Sequence, residues 1–137
     1  MKIKIERNTT IGDIQKAFNR EFPLLSLRFF DARAAKENMF ARKFLITDTS
    51  LSVAEAGRYS GDGEVDIRGS VKTGELEQDF RDHFGLLAQV FRKAGLQWIE
   101  TSSTDDHTLD EQNRNAGQSV YNIAEESPDA DAYHEQE

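Results

Sequence analysis

Cysteine is absent from the 137 residues, which removes disulfides and thiolate metal sites at once. Long apolar runs are absent too: no segment approaches the roughly 20 apolar residues that a membrane helix needs. The opening "MKIKIERN" alternates apolar and charged residues where a secretory signal would hold a continuous apolar stretch, so a cytoplasmic location is expected. Basic charge is scarce as well. From Thr104 onward there are ten acids against one base, Arg114, a net −9, whereas residues 1–103 carry +1. A nearly neutral body lacks the basic field that nucleic acid demands, and it disfavours anionic membrane surfaces for the same reason. The mean hydropathy of −0.67 and the 37% hydrophobic content are lean for this length, so part of the chain should lie outside the core.

What the chain does hold is a pattern stated twice. "FNREFPLL" (18–25) and "FRDHFGLL" (80–87) both place two phenylalanines four apart, then a turn-former, then two leucines. Shifted by 62 positions, residues 3–30 fall on 65–92 without a gap: Gly12 meets Gly74, Phe18 meets Phe80, Phe22 meets Phe84 and Phe29 meets Phe91. Burial imposes such a pattern on any strand–helix–strand unit, but an ungapped register over the whole unit favours an internal repeat, 1–30 and 63–92.

Each unit reads as βαβ. Ile3 and Ile5 alternate with Lys2, Lys4 and Glu6, the period of a strand with one buried face. Thr10 with Asp13 forms a capping box, and Ile11, Ile14, Phe18 and Phe22 line one helical face until Pro23 stops it. In the second unit Val65 and Ile67 make the strand, Thr73 is the expected helix cap, Leu76, Phe80 and Phe84 form the stripe, and Gly85 ends the helix. Residues 86–102 then read as a β-hairpin, and Thr108 with Glu111 opens a short helix that Gly117 can close. The linker 31–62 is harder to read: a polar loop, a strand within 40–48, and one helical turn capped by Ser52 and Glu55. Low apolar content and dense negative charge predict that the tail, 118–137, is mostly disordered.

Chemistry could hide in "ETSSTDDHTLDEQ" (100–112), where Glu100, Asp105, Asp106, His107, Asp110 and Glu111 crowd the exit of a strand. Imidazole and carboxylates bind divalent ions and move protons, so Asp105, Asp106 and His107 are the metal candidates. The competing account is a loop, a cap and an acidic first turn; the spacing fits no established ligand motif. No phosphate loop and no nucleophile elbow occurs elsewhere. Trp98 can be a partner anchor or a packed sheet residue. With Arg92, Glu100 and Thr101 it makes the candidate partner-binding set.

Val90–Lys93, Gly95, Trp98–Thr101, Thr104–Asp106, Thr108–Leu109 and Gln112–Asn113 resemble a stretch of small bacterial proteins of Bacteroidetes type, a family without an established activity. The likeness is concentrated in 86–117 and implies a host group, with no mechanism. The family pattern is aromatic where this chain has His107, which weighs against a metal ligand there.

These observations predict one α+β domain over 1–117. Duplicated βαβ units would form a ferredoxin-like antiparallel sheet with helices on one face, followed by a C-terminal β-hairpin and short helix. The functional expectation is a soluble protein-interaction or adaptor module with a protein partner and no cofactor. The alternative is a small enzyme or metal-binding protein with its site in loop 100–112. Sheet-face nucleic-acid binding is disfavoured by charge.

Overall fold

The structure, a computed structural model, describes residues 1–31, 44–101 and 104–116. The polar loop expected at 31–39, the closing Gly117 and the acidic tail lie wholly or largely outside them. The elements in chain order are β1 (Lys2–Ile5), α1 (Ile11–Glu21), β2 (Leu25–Phe30), α2 (Val53–Ala56), β3 (Gly63–Asp66), α3 (Thr73–Phe84), β4 (Leu87–Ala94) and β5 (Gln97–Glu100). A last helix, α4, is described over 109–116. The fold is α+β and every strand pairing is antiparallel.

β1 pairs with β3, placing Ile3 opposite Val65, and β2 pairs with β4, placing Leu27 opposite Val90. β5 adds to the far side of β4 through a turn at Gly95 and Leu96. Gly95 has φ 65°, the left-handed region that a two-residue hairpin turn requires of one central residue. Hydrogen bonds divide these strands between a two-stranded sheet, β1–β3, and a three-stranded sheet, β2–β4–β5. One core cluster nevertheless joins them. Ile3, Ile5 and Val65 from the first sheet meet Leu25, Leu27, Phe29, Ala88 and Val90 from the second. Ile11, Ile14 and Phe18 of α1 and Leu76, Phe80 and Phe84 of α3 cover both, with Phe29 edge-on to Phe80 at 5.2 Å. The period of the apolar residues is thus satisfied on both helices at once.

The helix ends follow the local chemistry. Thr10 Oγ1 accepts from Asp13 N at 3.0 Å while Asp13 accepts from Thr10 N at 3.1 Å. Ser52 with Glu55, and Thr108 with Glu111, close the same box. α3 departs from expectation. Its N-cap is Lys72, which offers no acceptor, and Thr73 is already helical, its hydroxyl donating to the His107 carbonyl at 2.8 Å. Only the return bond of a box remains, from Lys72 N to Glu75 at 3.2 Å.

Backbone contacts recur between the halves. Ile11 N and Gly12 N donate to the carbonyls of Leu51 and Thr49, and Val53 N donates back to Thr9 O. Thr73 N and Gly74 N likewise donate to His107 and Asp105, and Leu109 N donates back to Val71 O. In each half a loop, 48–52 or 104–108, clasps the start of the long helix. Glycine stands at 12 and 74 for a physical reason: a Cβ would lie 3.1 Å from Thr49 O or 3.2 Å from the Asp105 Cβ.

One part of the sequence register shifts. Leu25, Leu27 and Phe29 share the inner face with Ala88 and Val90, so Phe29 corresponds to Arg92, and Phe91 points outward. α3 runs one residue further than α1 before its left-handed Gly85 (φ 61°), which moves the following strand by one. A one-residue slip transfers every side chain to the other face. The ungapped match of Phe29 to Phe91 is therefore corrected to an offset of 63 in that strand.

Candidate functional site

The clasps decide the fate of the acidic loop. In 104–108 the backbone carbonyls of Asp105 and His107 satisfy the first amides of α3, and Thr108 and Glu111 cap α4. The same work is done in 48–52 by Thr49, Leu51, Ser52 and Glu55. Among the described residues no three metal-ligating side chains converge, so Asp105, Asp106 and His107 do not form a closed ligand set. Both helix N-termini are also closed to anions, because chain carbonyls already occupy their amides.

Beside each clasp lies a cleft against the long helix. The first, about 490 Å³, is lined by Gln15, Lys16, Asn19, Ser26, Arg28 and Thr49, among others. The second, about 250 Å³, is lined by Gly74, Glu77, Gln78, Arg81, Gln89 and Asp105 with Ala88. Corresponding helix positions thus face corresponding clefts. Gln15 Nε2 donates to the Leu27 carbonyl at 3.0 Å, whereas Glu77 Oε2 accepts from Val90 N at 2.9 Å. Both tie the helix to the same strand position, one with an amide and one with a carboxyl.

Glu77 is the most perturbed titratable group described. Burial pushes its carboxyl up to about 8; the Val90 amide opposes this, Asp105 reinforces it, Arg81 opposes it, and Glu100 adds the smallest contribution, upward. Desolvation, with Asp106 beside it, also holds the Asp105 carboxyl above its ordinary range. Nothing in the local spacing flagged Glu77, because its environment comes from β4, β5 and the clasp. The one available signal was its alignment with Gln15 in the repeat.

The partner-binding candidates divide. Arg92 is buried on the inner side, and Thr101 is fully buried with its hydroxyl donating to Val90 O at 2.9 Å. Neither is placed to touch a partner. Trp98 and Glu100 are half-buried on the outer face of the three-stranded sheet, beside Phe91 and Lys93. There the Arg28 guanidinium lies 4.4 Å from the Phe91 ring centre and 5.8 Å from that of Trp98, and Lys93 Nζ lies 5.6 Å from Trp98. Leu96, in the adjoining turn, is 100% exposed. The signal for Arg28 and Lys93 was period-two alternation, which puts them on the face opposite Leu27 and Arg92.

Among the described residues no helix is long and apolar enough to cross a membrane. Comparison with protein-family models, with curated proteins and with solved structures gives no match.

Proposed function

We propose that this protein is an interaction module that engages an acidic, partly apolar segment of a partner protein through the outer face of its β4–β5 hairpin. The observation that carries this reading is the half-buried Trp98 with Lys93 over its ring, next to the fully exposed Leu96, above a base of Arg28 and buried Phe91. Trp and Arg are enriched at the energetic centres of interfaces, and a side chain already packed on aromatics has less freedom to lose on binding. Among the described residues Lys93, half-buried against Trp98, carries the charge that favours an acidic partner. The near-neutral body supports the same reading by disfavouring nucleic acid. The test compares the wild type with Lys93→Glu in affinity capture from the native host. An acidic partner lost from the variant at unchanged melting temperature supports the proposal; equal recovery by both proteins ends it. Trp98, the one tryptophan in the chain, gives a fluorescence readout of the same event.

A second reading, proton-transfer chemistry in the cleft at Glu77 and Asp105, is favoured by the raised carboxyl of Glu77. A hydrolytic or isomerising turnover abolished by Glu77→Gln would establish it, and activity retained in that variant would dismiss it.

The recurring clasp bonds and glycines support descent of the two halves from one βαβ-plus-clasp unit. On that view the acidic loop is the second copy of a structural device.

A further inference from the structure

We propose that Glu77 is a proton-operated latch, which holds the second clasp closed against α3 when neutral and loosens it when ionised. The argument begins with placement. Glu77 is half-buried on α3, and its Oε2 accepts from Val90 N, at the point where β4 runs beyond its pairing with β5. Val90 O takes both Thr101 N and Thr101 Oγ1, so this one residue anchors the helix and the exit of the hairpin.

Asp105 on the clasp and Arg81 one turn along α3 line the cleft with Glu77, Val90 contributes a neutral N–H, and Glu100 on the outer face of β5 adds only to the field. Asp106 adjoins Asp105 and adds to the negative field there. Two carboxylates against one exposed guanidinium leave a third negative charge poorly compensated. Asp105 belongs to the segment whose carbonyl holds Gly74 N at 2.9 Å. Repulsion between an ionised Glu77 and Asp105 therefore acts on the clasp itself. The first half shows what a chargeless latch looks like: Gln15 stands at the matching position, and Thr49, with no charge, stands where Asp105 does.

The molecule supplies its own control. Gly12 N and Gly74 N make the same bond in the two clasps, 2.9 Å each. Because the clasp carries Asp105 and part of the cover over Glu77, the open form holds the proton less tightly than the closed one, so opening eases as pH rises toward about 8 and levels off above it. One proton gives at most about a tenfold gain in opening per pH unit.

The experiment is amide hydrogen exchange on the full chain from pH 5 to 9, corrected for the intrinsic rate, with a parallel carbon-13 titration of the Glu77 carboxyl. The expected result is that protection of Thr73, Gly74 and Val90 falls as pH rises toward about 8, while Ile11 and Gly12 do not respond. In Glu77→Gln the second clasp should become as insensitive as the first. Asp105→Asn should move the carbon-13 midpoint of Glu77 downward. A Glu77 midpoint in the ordinary carboxyl range overturns the proposal even if the glutamine variant fails to fold. Parallel changes at Gly12 and Gly74, or a slope that survives Glu77→Gln, overturn it as well.

Discussion

Gln15 and Glu77 reach the same strand position from the same place on their helices, and they do so with opposite hydrogen-bond polarity. The amide donates to a carbonyl; the carboxyl accepts from an N–H. The bond to Val90 N favours the ionised carboxylate, so the neutral form of Glu77 is imposed by its burial and not by this contact.

Stability should therefore depend on pH in a specific sense. Because the folded carboxyl of Glu77 is raised from 4.5 to about 8, its stabilising contribution is full below the lower value and is lost as pH rises through the upper one. The melting temperature of the wild type, measured from pH 5 to 9, should fall relative to that of Glu77→Gln. Parallel curves for the two proteins would contradict this.

The acid side should behave oppositely. Asp13 is held below the usual carboxylate range by the Thr10 amide and hydroxyl, so its cap contribution is present above the ordinary value and disappears as pH falls through the depressed one. Thr10→Ala should cost about 1 kcal/mol at neutral pH and less in acid, as read by urea titration at both.

Among the described helices α3 has the weakest cap, Lys72, since an ammonium cannot accept from the helix amides. The matching residue in the first half is Thr10, whose hydroxyl does accept. Lys72→Thr should raise stability by roughly 0.5–2 kcal/mol, with Glu75 already in place to complete the box. A drop in the urea midpoint would show that the Lys72 stem packs in a way its exposed position does not suggest.

Gly57 ends α2, and a Cβ there would collide with the backbone carbonyl of Phe84. Gly57→Ala should thus be more damaging than Gly12→Ala or Gly74→Ala, whose closest contacts are 3.1 and 3.2 Å. Phe80→Ala, which empties the centre of the shared core, should cost about 3–5 kcal/mol. Thermal unfolding of the four variants side by side ranks them directly.

Legibility in the sequence followed the range of the forces. The stripes of Phe18 and Phe80, the boxes at Thr10, Ser52 and Thr108, and the left-handed Gly85 depend on residues within a turn or two, and all were readable. The pairing of β1 with β3 followed from the repeat. The division into two sheets did not, because it depends on how the twisted strands close around one core. The face of Phe91 was misread because one extra helical residue in α3 is invisible to an ungapped comparison. The sequence places Arg92 and Thr101 in the candidate partner-binding set, whereas the fold buries both, Thr101 with its hydroxyl on Val90 O. Glu77 escaped notice because its perturbation comes from Asp105 and Glu100, distant in sequence.

The strand pairings have a consequence for how the chain comes to be folded. Among the described residues β1 pairs with β3, and β2 pairs chiefly with β4. The first half cannot complete either ladder from its own residues, so while it emerges from a ribosome its strand edges wait unpaired until the second half has been made. Such long-range closure slows folding and lengthens the exposure of sticky edges. A half-chain released on its own would be left to find those partners in another copy of itself.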